Sequence, residues 1–500
     1  LMVIVQRRGY PTVKVFTKPS NKAVFESLAF ETVAETDSVV FMENGQMPLR
    51  DYLLSLERLA RPGKSGVIVM NCNPFTRGHR YLIEEASKQV DNLYVIPLKE
   101  NNRNFNYEER REMIRLGTAD LANVTVCEGS AYAISQATFP TYFLKQLDKA
   151  SENQIELDLQ IFARYLAPAL GATVRFVGTE PFDPLTRRYN EMMTELLPKS
   201  GIEVVQIERK ELEEKPISAS RTRAFIENNK LHAAMQLVPP TTQPYIMAKF
   251  AVDALQQELD TTPKPGLVDK DNSGAHTDMD YILMERSIKS LRPYFVRLAQ
   301  LGLSADKLTT ADVQRIGIEA EAAMLRTTHG VNTHRGALFA LGITVAAAMW
   351  LYAHEGQEVR KERLQQMIQE IAAGFPPSAD THGAEVVAKA RVKGARENAV
   401  EGYPDLFETW GPYYRKLRED PHRAHRTLLK IMSMLQDTNI YYRTDAETAE
   451  IVRRSSGELL QRFSVNSLRE ADAEFIRHNI SPGGCADMLS LTILINAILR

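Results

Sequence analysis

From Gly66 to about Val238 the chain alternates between two kinds of stretch. Apolar, β-branched runs occur at VIVM (from Val67), LYVIPL (from Leu93), VTVC (from Val124), TVRFVG (from Thr173) and EVVQIE (from Glu203), with amphipathic segments between them. Short β-branched runs separated by 3.6-period stretches predict strand–helix–strand units, and hence a parallel sheet with right-handed crossovers. Ahead of them, VKVFTK, NKAVFESLAF and SVVFMEN predict strand, helix and strand in a small α+β segment. PPTTQP, Pro239 to Pro244, breaks the alternation and predicts a linker. Beyond it a period near 3.6 runs through AVDALQQEL, MDYILMERSIKSL, RLQQMIQEIAAGF and AETAEIVRRSSGELLQRF, which predicts helices alone. The expected organisation is multidomain: residues 1–60 a partial α+β segment, 61–238 a Rossmann-like α/β domain, 239–244 a linker, and 245–500 an all-α domain.

Composition narrows the function classes. The chain has 500 residues, 44% of them hydrophobic and 25% charged, so it can bury large cores. A net charge of −2 argues against a general nucleic-acid binder. Cys72, Cys127 and Cys485 lie far apart and form no CxxC pair, which argues against a disulfide framework or a cysteine zinc site and for a reducing, cytoplasmic location. The opening, LMVIVQRRGYPTVKVF, has no basic-then-apolar leader, and starting on Leu1 predicts a truncated product. One uncharged run, Gly336 to Ala353, is long enough to span a bilayer. It is rich in Ala and Gly and lacks aromatic and basic belts at both ends, so a buried central helix is expected, with no membrane partner.

Two strings in the alternating region carry chemistry. The run NCNPFTRGHRYLIEEA follows the Val67 strand and puts Thr76, Gly78 and His79 at a helix N-terminus. Free N–H groups and the helix dipole make such a terminus an anion site, Gly78 allows a phosphate close approach, and His79 can donate to a phosphate oxygen. In ISASRTR, Ser218 and Ser220 open a second helix and Arg223 adds a guanidinium. Cys72 has no evident histidine–acid partner and reads as packing. The pairing of Thr76-x-Gly78-His79 with Ile217-Ser218-x-Ser220-x-x-Arg223 resembles the signatures of the nucleotidyltransferase superfamily. The fuller strings VIVMNCNPFTRGHRYLIEEA and TEPFDPLTRRYNEMM resemble citrate lyase ligase over about residues 60 to 238. Residues 1–45 resemble the tail of the GNAT-like domain that precedes it, most of which is missing here. The resemblance implies adenylation of acetate by ATP and transfer of the acetyl group to a thiol of the citrate lyase acyl carrier subunit. His79 and Arg223 would stabilise the phosphates, Thr76 would replace the first histidine of the commoner motif, and Mg²⁺ would be shared. Arg187 and Arg188 are further candidates for nucleotide contacts.

The helical half holds a denser string. TPKPGLVDKDNSGAHTDMD, residues 262 to 280, mixes four aspartates with lysine, histidine and asparagine. That set suits a metal-bound triphosphate, since hard cations take carboxylates and phosphates take cationic donors. Part of it fits EF-hand spacing, but a helix before the loop and a final glutamate are lacking, and a plain solvated loop is the bland reading. Glu319 and Glu321 lie upstream of GVNTHRGALFALG with Asn332, His334 and Arg335. QDTNIYYR supplies Asp437, Asn439 and Arg443, and SPGGCADML supplies Gly483, Gly484 and Asp487. Together these strings resemble triphosphoribosyl-dephospho-CoA synthase from about Gln243 onward. The family reaction has the 2'-hydroxyl of 3'-dephospho-CoA attack C1' of the ATP ribose while adenine leaves. On that reading Asp269, Asp271 and Asp278 bind Mg²⁺ or orient the ribose, and Lys264, Arg335, Gly483 and Gly484 hold phosphates. His276, His334 or Glu321 accepts the hydroxyl proton. Other readings stay open: a pantetheine-phosphate or nicotinate-type adenylyltransferase, a malonate decarboxylase counterpart, or one half serving only as a carrier-docking scaffold.

Overall fold

The computed structural model describes residues 2–9, 12–45, 48–100, 104–133, 149–180, 183–212, 215–356, 358–376 and 392–499. The chain divides into two compact units: Leu1–Ala224 with Gln236–Thr242, and Phe225–Met235 with Gln243–Arg500.

In the first unit all five apolar runs are strands: β4 (Ser65–Met70), β5 (Asn92–Pro97), β6 (Val124–Val126), β7 (Ala172–Gly178) and β8 (Glu203–Ile207). They pair in parallel in the order β6-β5-β4-β7-β8. Every residue of β5 is buried, as expected of an inner strand covered on both faces. The order reverses at β4, so the crevice beyond the carboxyl end of β4 is the topological switch point where such sheets bind ligands. A three-stranded antiparallel sheet precedes it: β1 (Thr12–Thr17), β2 (Glu31–Glu35) and β3 (Val40–Gly45), in the order β1-β3-β2. Apolar patterning anticipates β1 and β3 but not β2, whose ETVAE is short and carries a glutamate at each end. This sheet shares one hydrophobic core with the parallel sheet, in which Phe41 and Leu56 join Tyr94 and Ile96.

The second unit is helical among the described residues. The apolar run at 336 forms helix Arg335–His354, whose residues from Ala340 to Met349 are buried. Helices Gln243–Asp260, Tyr281–Ser304, Thr310–Thr327, Lys361–Ala373 and Gly483–Ile498 pack around it. The approach to Tyr281–Ser304 is close: a Cβ on Gly302 would lie 2.3 Å from the Ala346 carbonyl oxygen. That enclosure explains a helix with no polar face. Gln243 and Pro244, within the expected linker, are the first residues of the helix ending at Asp260.

Candidate active sites

Beyond β4 the chain turns through Asn71–Phe75 and enters helix Arg77–Ser87. Thr76 is its N-cap and His79 completes a capping box: Thr76 Oγ1 accepts the His79 N–H (3.3 Å), and the Thr76 N–H donates to His79 Nδ1 (3.0 Å). A ring nitrogen that accepts an N–H carries no proton, so the neutral imidazole holds its proton on Nε2 and is a donor there. Burial, with Arg209 and Arg223 adding repulsion, pushes the His79 pKa down to about 4. His79 is therefore a neutral Nε2–H donor at physiological pH.

The second string lies against the first. A Cβ on Gly78 would stand 2.7 Å from the Ile217 carbonyl oxygen. The side of Gly78 that a side chain would occupy is thus taken by the ISASRTR backbone. Ser218 Oγ accepts the Arg221 N–H (3.1 Å) at the start of helix Ala219–Glu227. Arg223 donates to the Asn73 carbonyl (2.6 Å) and to Ser220 Oγ (3.1 Å), which ties the ISASRTR helix to the turn beyond β4. Cys72 is fully buried and its thiol pKa is pushed up by burial, which suits packing and not attack. Arg188 pairs with Glu152 and Glu191, and Arg187 donates to the Glu180 carbonyl (3.2 Å).

Two residues of this site escaped the sequence. Arg209, just beyond β8, faces His79 electrostatically and pairs with Glu180. Its place after a strand's carboxyl end was the available signal. Arg110 is buried and donates to Asn71 O (2.6 Å), Asn71 Oδ1 (3.0 Å) and Leu98 O (2.9 Å), binding the ends of β4 and β5 together. In YEERREM nothing separates it from the surface charges beside it.

The second unit contains a cavity of about 1070 Å³. Lys264, His276, Glu321, His334, Arg335, Gly483 and Gly484 line it; Asp269, Asp271 and Asp278 do not. The four strings that form its wall are knitted together. His276 Nε2 meets Ser481 Oγ (2.8 Å), and Asp437 Oδ2 accepts the Cys485 N–H (2.7 Å). Arg443 donates to the Asn479 carbonyl (3.1 Å) and to Ala275 O. Glycines make room for these contacts. A Cβ on Gly266 would lie 2.1 Å from Ile480 O, on Gly336 2.0 Å from Asp487 Oδ2, on Gly483 2.9 Å from Asn439 Nδ2, and on Gly484 3.1 Å from Asp437 Oδ2. The side a Cβ would occupy at Gly483 and Gly484 faces Asn439 and Asp437.

The three aspartates expected to hold Mg²⁺ have different partners. Asp269 is buried, and its oxygens accept the N–H groups of Lys264 (2.8 Å), Asp271 (2.8 Å) and Asn272 (3.2 Å), so it folds its own loop. Asp271 faces Arg469 (3.7 Å) and Asp278 faces His276 Nδ1 (3.6 Å). Among the described residues no group of three or more Asp, Glu, His or Cys side chains is arranged to hold a metal ion. Asp280, the last position of the EF-hand spacing, instead caps helix Tyr281–Ser304 through the Leu283 N–H (2.7 Å).

The proton-acceptor candidates differ in what they leave free. Glu321 is paired with Arg335. His276 is held through both nitrogens, and its pKa is lowered by burial and by Arg443. His334 is buried, with Nδ1 at 2.8 Å from Ser287 Oγ, and its Nε2 has no hydrogen-bond partner among the described residues. Burial and then Lys264 push its pKa to about 3, so it is neutral at physiological pH. Lys264 itself is buried against Glu258. Lys393 and Arg396 add charge to the wall from a segment without an evident motif. VKGAR, a basic string with a glycine just before helix Ala395–Val400, was the missed signal.

The first unit thus offers a crevice at the switch point beyond β4, and the second a large cavity lined by apolar side chains together with several charged ones. Two family models match accordingly: "Citrate lyase ligase C-terminal domain" over residues 65–246, and "ATP:dephospho-CoA triphosphoribosyl transferase" over residues 245–500. The citrate pro-3S-lyase ligase of Escherichia coli K12 is 46% identical over 239 residues, which covers 46% of this chain and 68% of that protein. A probable 2-(5''-triphosphoribosyl)-3'-dephosphocoenzyme-A synthase of Pseudomonas fluorescens Pf0-1 is 37% identical over 284 residues, 53% of this chain and 97% of that protein. Among solved structures, pantothenate synthetase from Thermus thermophilus aligns with 41% of this chain and 73% of its own at 16% identity and a TM-score of 0.25. The chain belongs to both families, a ligase and a transferase in one polypeptide.

Proposed function

We propose that the chain performs two steps in the maturation of citrate lyase. The first unit adenylates acetate with ATP and passes the acetyl group to a thiol of the acyl carrier subunit. The second transfers the triphosphoribosyl group of ATP to 3'-dephospho-CoA and releases adenine. The domain division proposed with it puts the change of activity between residues 238 and 245.

For the first unit, the supporting observation is His79 as a neutral Nε2–H donor within reach of the charges of Arg223 and Arg209. Acetate attacks the α-phosphate and pyrophosphate leaves, so negative charge grows on the phosphate oxygens. A fixed donor and two guanidinium groups stabilise that charge without reorganising. Thr76 acts through His79 by holding Nδ1. ATP–pyrophosphate exchange that depends on acetate tests this reading, and exchange driven by phosphopantetheine instead would replace it with an adenylyltransferase.

For the second unit, the supporting observation is His334 Nε2, a buried atom on the cavity wall without a hydrogen-bond partner among the described residues. His334 takes the proton of the attacking hydroxyl, Ser287 positions its ring, and a bound triphosphate raises its basicity. Lys264, Arg335 and Arg396 hold the phosphates. The divalent cation reaches either site as Mg²⁺ on the ATP phosphates. ATP and dephospho-CoA are cytoplasmic metabolites, and the reaction belongs in that compartment. Adenine release from ATP with and without 3'-dephospho-CoA, followed by mass spectrometry of the adduct, decides the matter. Release that ignores dephospho-CoA would refute the transfer.

A further inference from the structure

Transfer of a triphosphoribosyl group from ATP leaves adenine, a poor leaving group unless a ring nitrogen is protonated as the C1'–N9 bond breaks. The cavity therefore needs an acid as well as a base. Two carboxyl groups lie on its wall close enough to interact, Asp437 and Asp487. Their surroundings differ. Asp437 accepts the Cys485 N–H on Oδ2 (2.7 Å) and the Asn439 N–H on Oδ1 (2.9 Å), so both oxygens are held as a carboxylate would be. Asp487 faces one backbone N–H, that of Ala337, and is packed against Gly336, where a Cβ would stand 2.0 Å from its Oδ2. Asp437 is buried and Asp487 half-buried in the wall; burial raises the pKa of both, and of two interacting carboxyls the one with fewer donors keeps the proton more readily. The groups around Asp487 are Asp437 and Cys485 beside it, Glu258 from helix Gln243–Asp260 with its partner Lys264, and Tyr403.

We infer that Asp487, in its protonated form, is the acid that delivers a proton to departing adenine. His334 Nε2, buried on the same wall and without a partner among the described residues, supplies the complementary acceptor. The balance closes. The C1'–N9 electron pair goes to the adenine ring, which takes the Asp487 proton. The hydroxyl oxygen forms the C1'–O bond and gives its proton to His334. One proton is taken and one delivered, and a transfer from His334 back to Asp487 through solvent resets the site. Burial and the neighbouring Asp437 and Glu258 carboxylates hold the Asp487 pKa well above the usual carboxylate range, as this role requires.

The inference rests on the transferase reading, and the test keeps the two apart. Asp487→Asn keeps the shape and removes the transferable proton. With full-length protein, adenine release from ATP falls by about 100-fold or more, the usual worth of a positioned acid. Nicotinamide riboside 5'-triphosphate, whose base leaves neutral without a proton, is the second probe. Its turnover changes less than about threefold between wild type and variant, because no acid is needed. The wild-type pH–rate profile for ATP also falls at high pH, and that limb is lost in the variant. Equal losses on both donors, an unchanged rate with ATP, or a high-pH limb that persists in the variant would each overturn the assignment. So would Mn²⁺ bound by wild type without nucleotide and lost in the variant, since that makes Asp487 a cation ligand. A wild-type protein that releases no adenine with dephospho-CoA present refutes the transferase reading itself.

Discussion

His79 and His334 are both neutral imidazoles, and what touches Nδ1 decides what each can do. At His79 a backbone N–H occupies Nδ1, so Nε2 donates. Replacing His79 with Ala removes that donor, and acetate-dependent ATP–pyrophosphate exchange drops by roughly 100- to 1000-fold, as at other charge-stabilising sites. An unchanged rate would remove His79 from the chemistry. At His334 the neighbour is a hydroxyl, and the buried ring has a pKa of about 3 against an ordinary 6.5. Between those values the unfolded chain binds the proton that the folded one refuses. The stability held above pH 6.5 is therefore lost on acidification, by about 1.4 kcal/mol per pH unit. Trp350 and Trp410, the two tryptophans of the chain, both lie in the helical unit and report its unfolding. His334→Gln should flatten the dependence of that transition between pH 6.5 and about 5. An equal slope in wild type and variant would show that His334 titrates normally.

At the scale of elements, the motifs work by interlocking, and glycines set how closely they meet. Gly78 admits the Ile217 carbonyl and Gly336 admits the Asp487 carboxyl. Adding a methyl group forces backbone or a carboxyl to move, at a cost of about 1–3 kcal/mol. Gly78→Ala should lower acetate-dependent exchange by shifting the Arg223 helix from His79, and leave adenine release alone. Gly336→Ala should lower the denaturation midpoint of the helical unit and its adenine release together. A variant as stable and active as wild type would show that the helices yield without cost. That these glycines leave space at helix entrances is legible along the chain. What fills the space is not, because the partner lies 139 positions away for Gly78–Ile217 and 151 for Gly336–Asp487, by subtraction of their numbers.

At the scale of the molecule, each site is assembled from residues of its own unit. Arg223→Ala should therefore abolish most acetate-dependent exchange with adenine release intact, and Asp487→Asn should do the reverse. Measuring both reactions on both variants checks this, and loss of both activities in either variant would show that the sites depend on each other.

Local pattern by itself determined the parallel sheet and the helical half of this protein, though not β2 or the start of helix Gln243–Asp260. The five β-branched runs are the five parallel strands, and the 3.6-period stretches are helices, because burying an apolar face demands those periods. Helix-entrance strings marked Thr76, His79, Arg223, His334 and Arg335, since end groups there lack backbone partners. Tertiary structure decided the rest. It gave Asp269 three backbone N–H groups of its own loop, gave Gly483 and Gly484 side chains to accommodate, and buried Arg110 beneath the β4 and β5 ends. It also separated Asp437 from Asp487 by the number of N–H groups each receives. A carboxylate reads the same along a chain whether backbone amides, an arginine or solvent will surround it, and only folding supplies those neighbours.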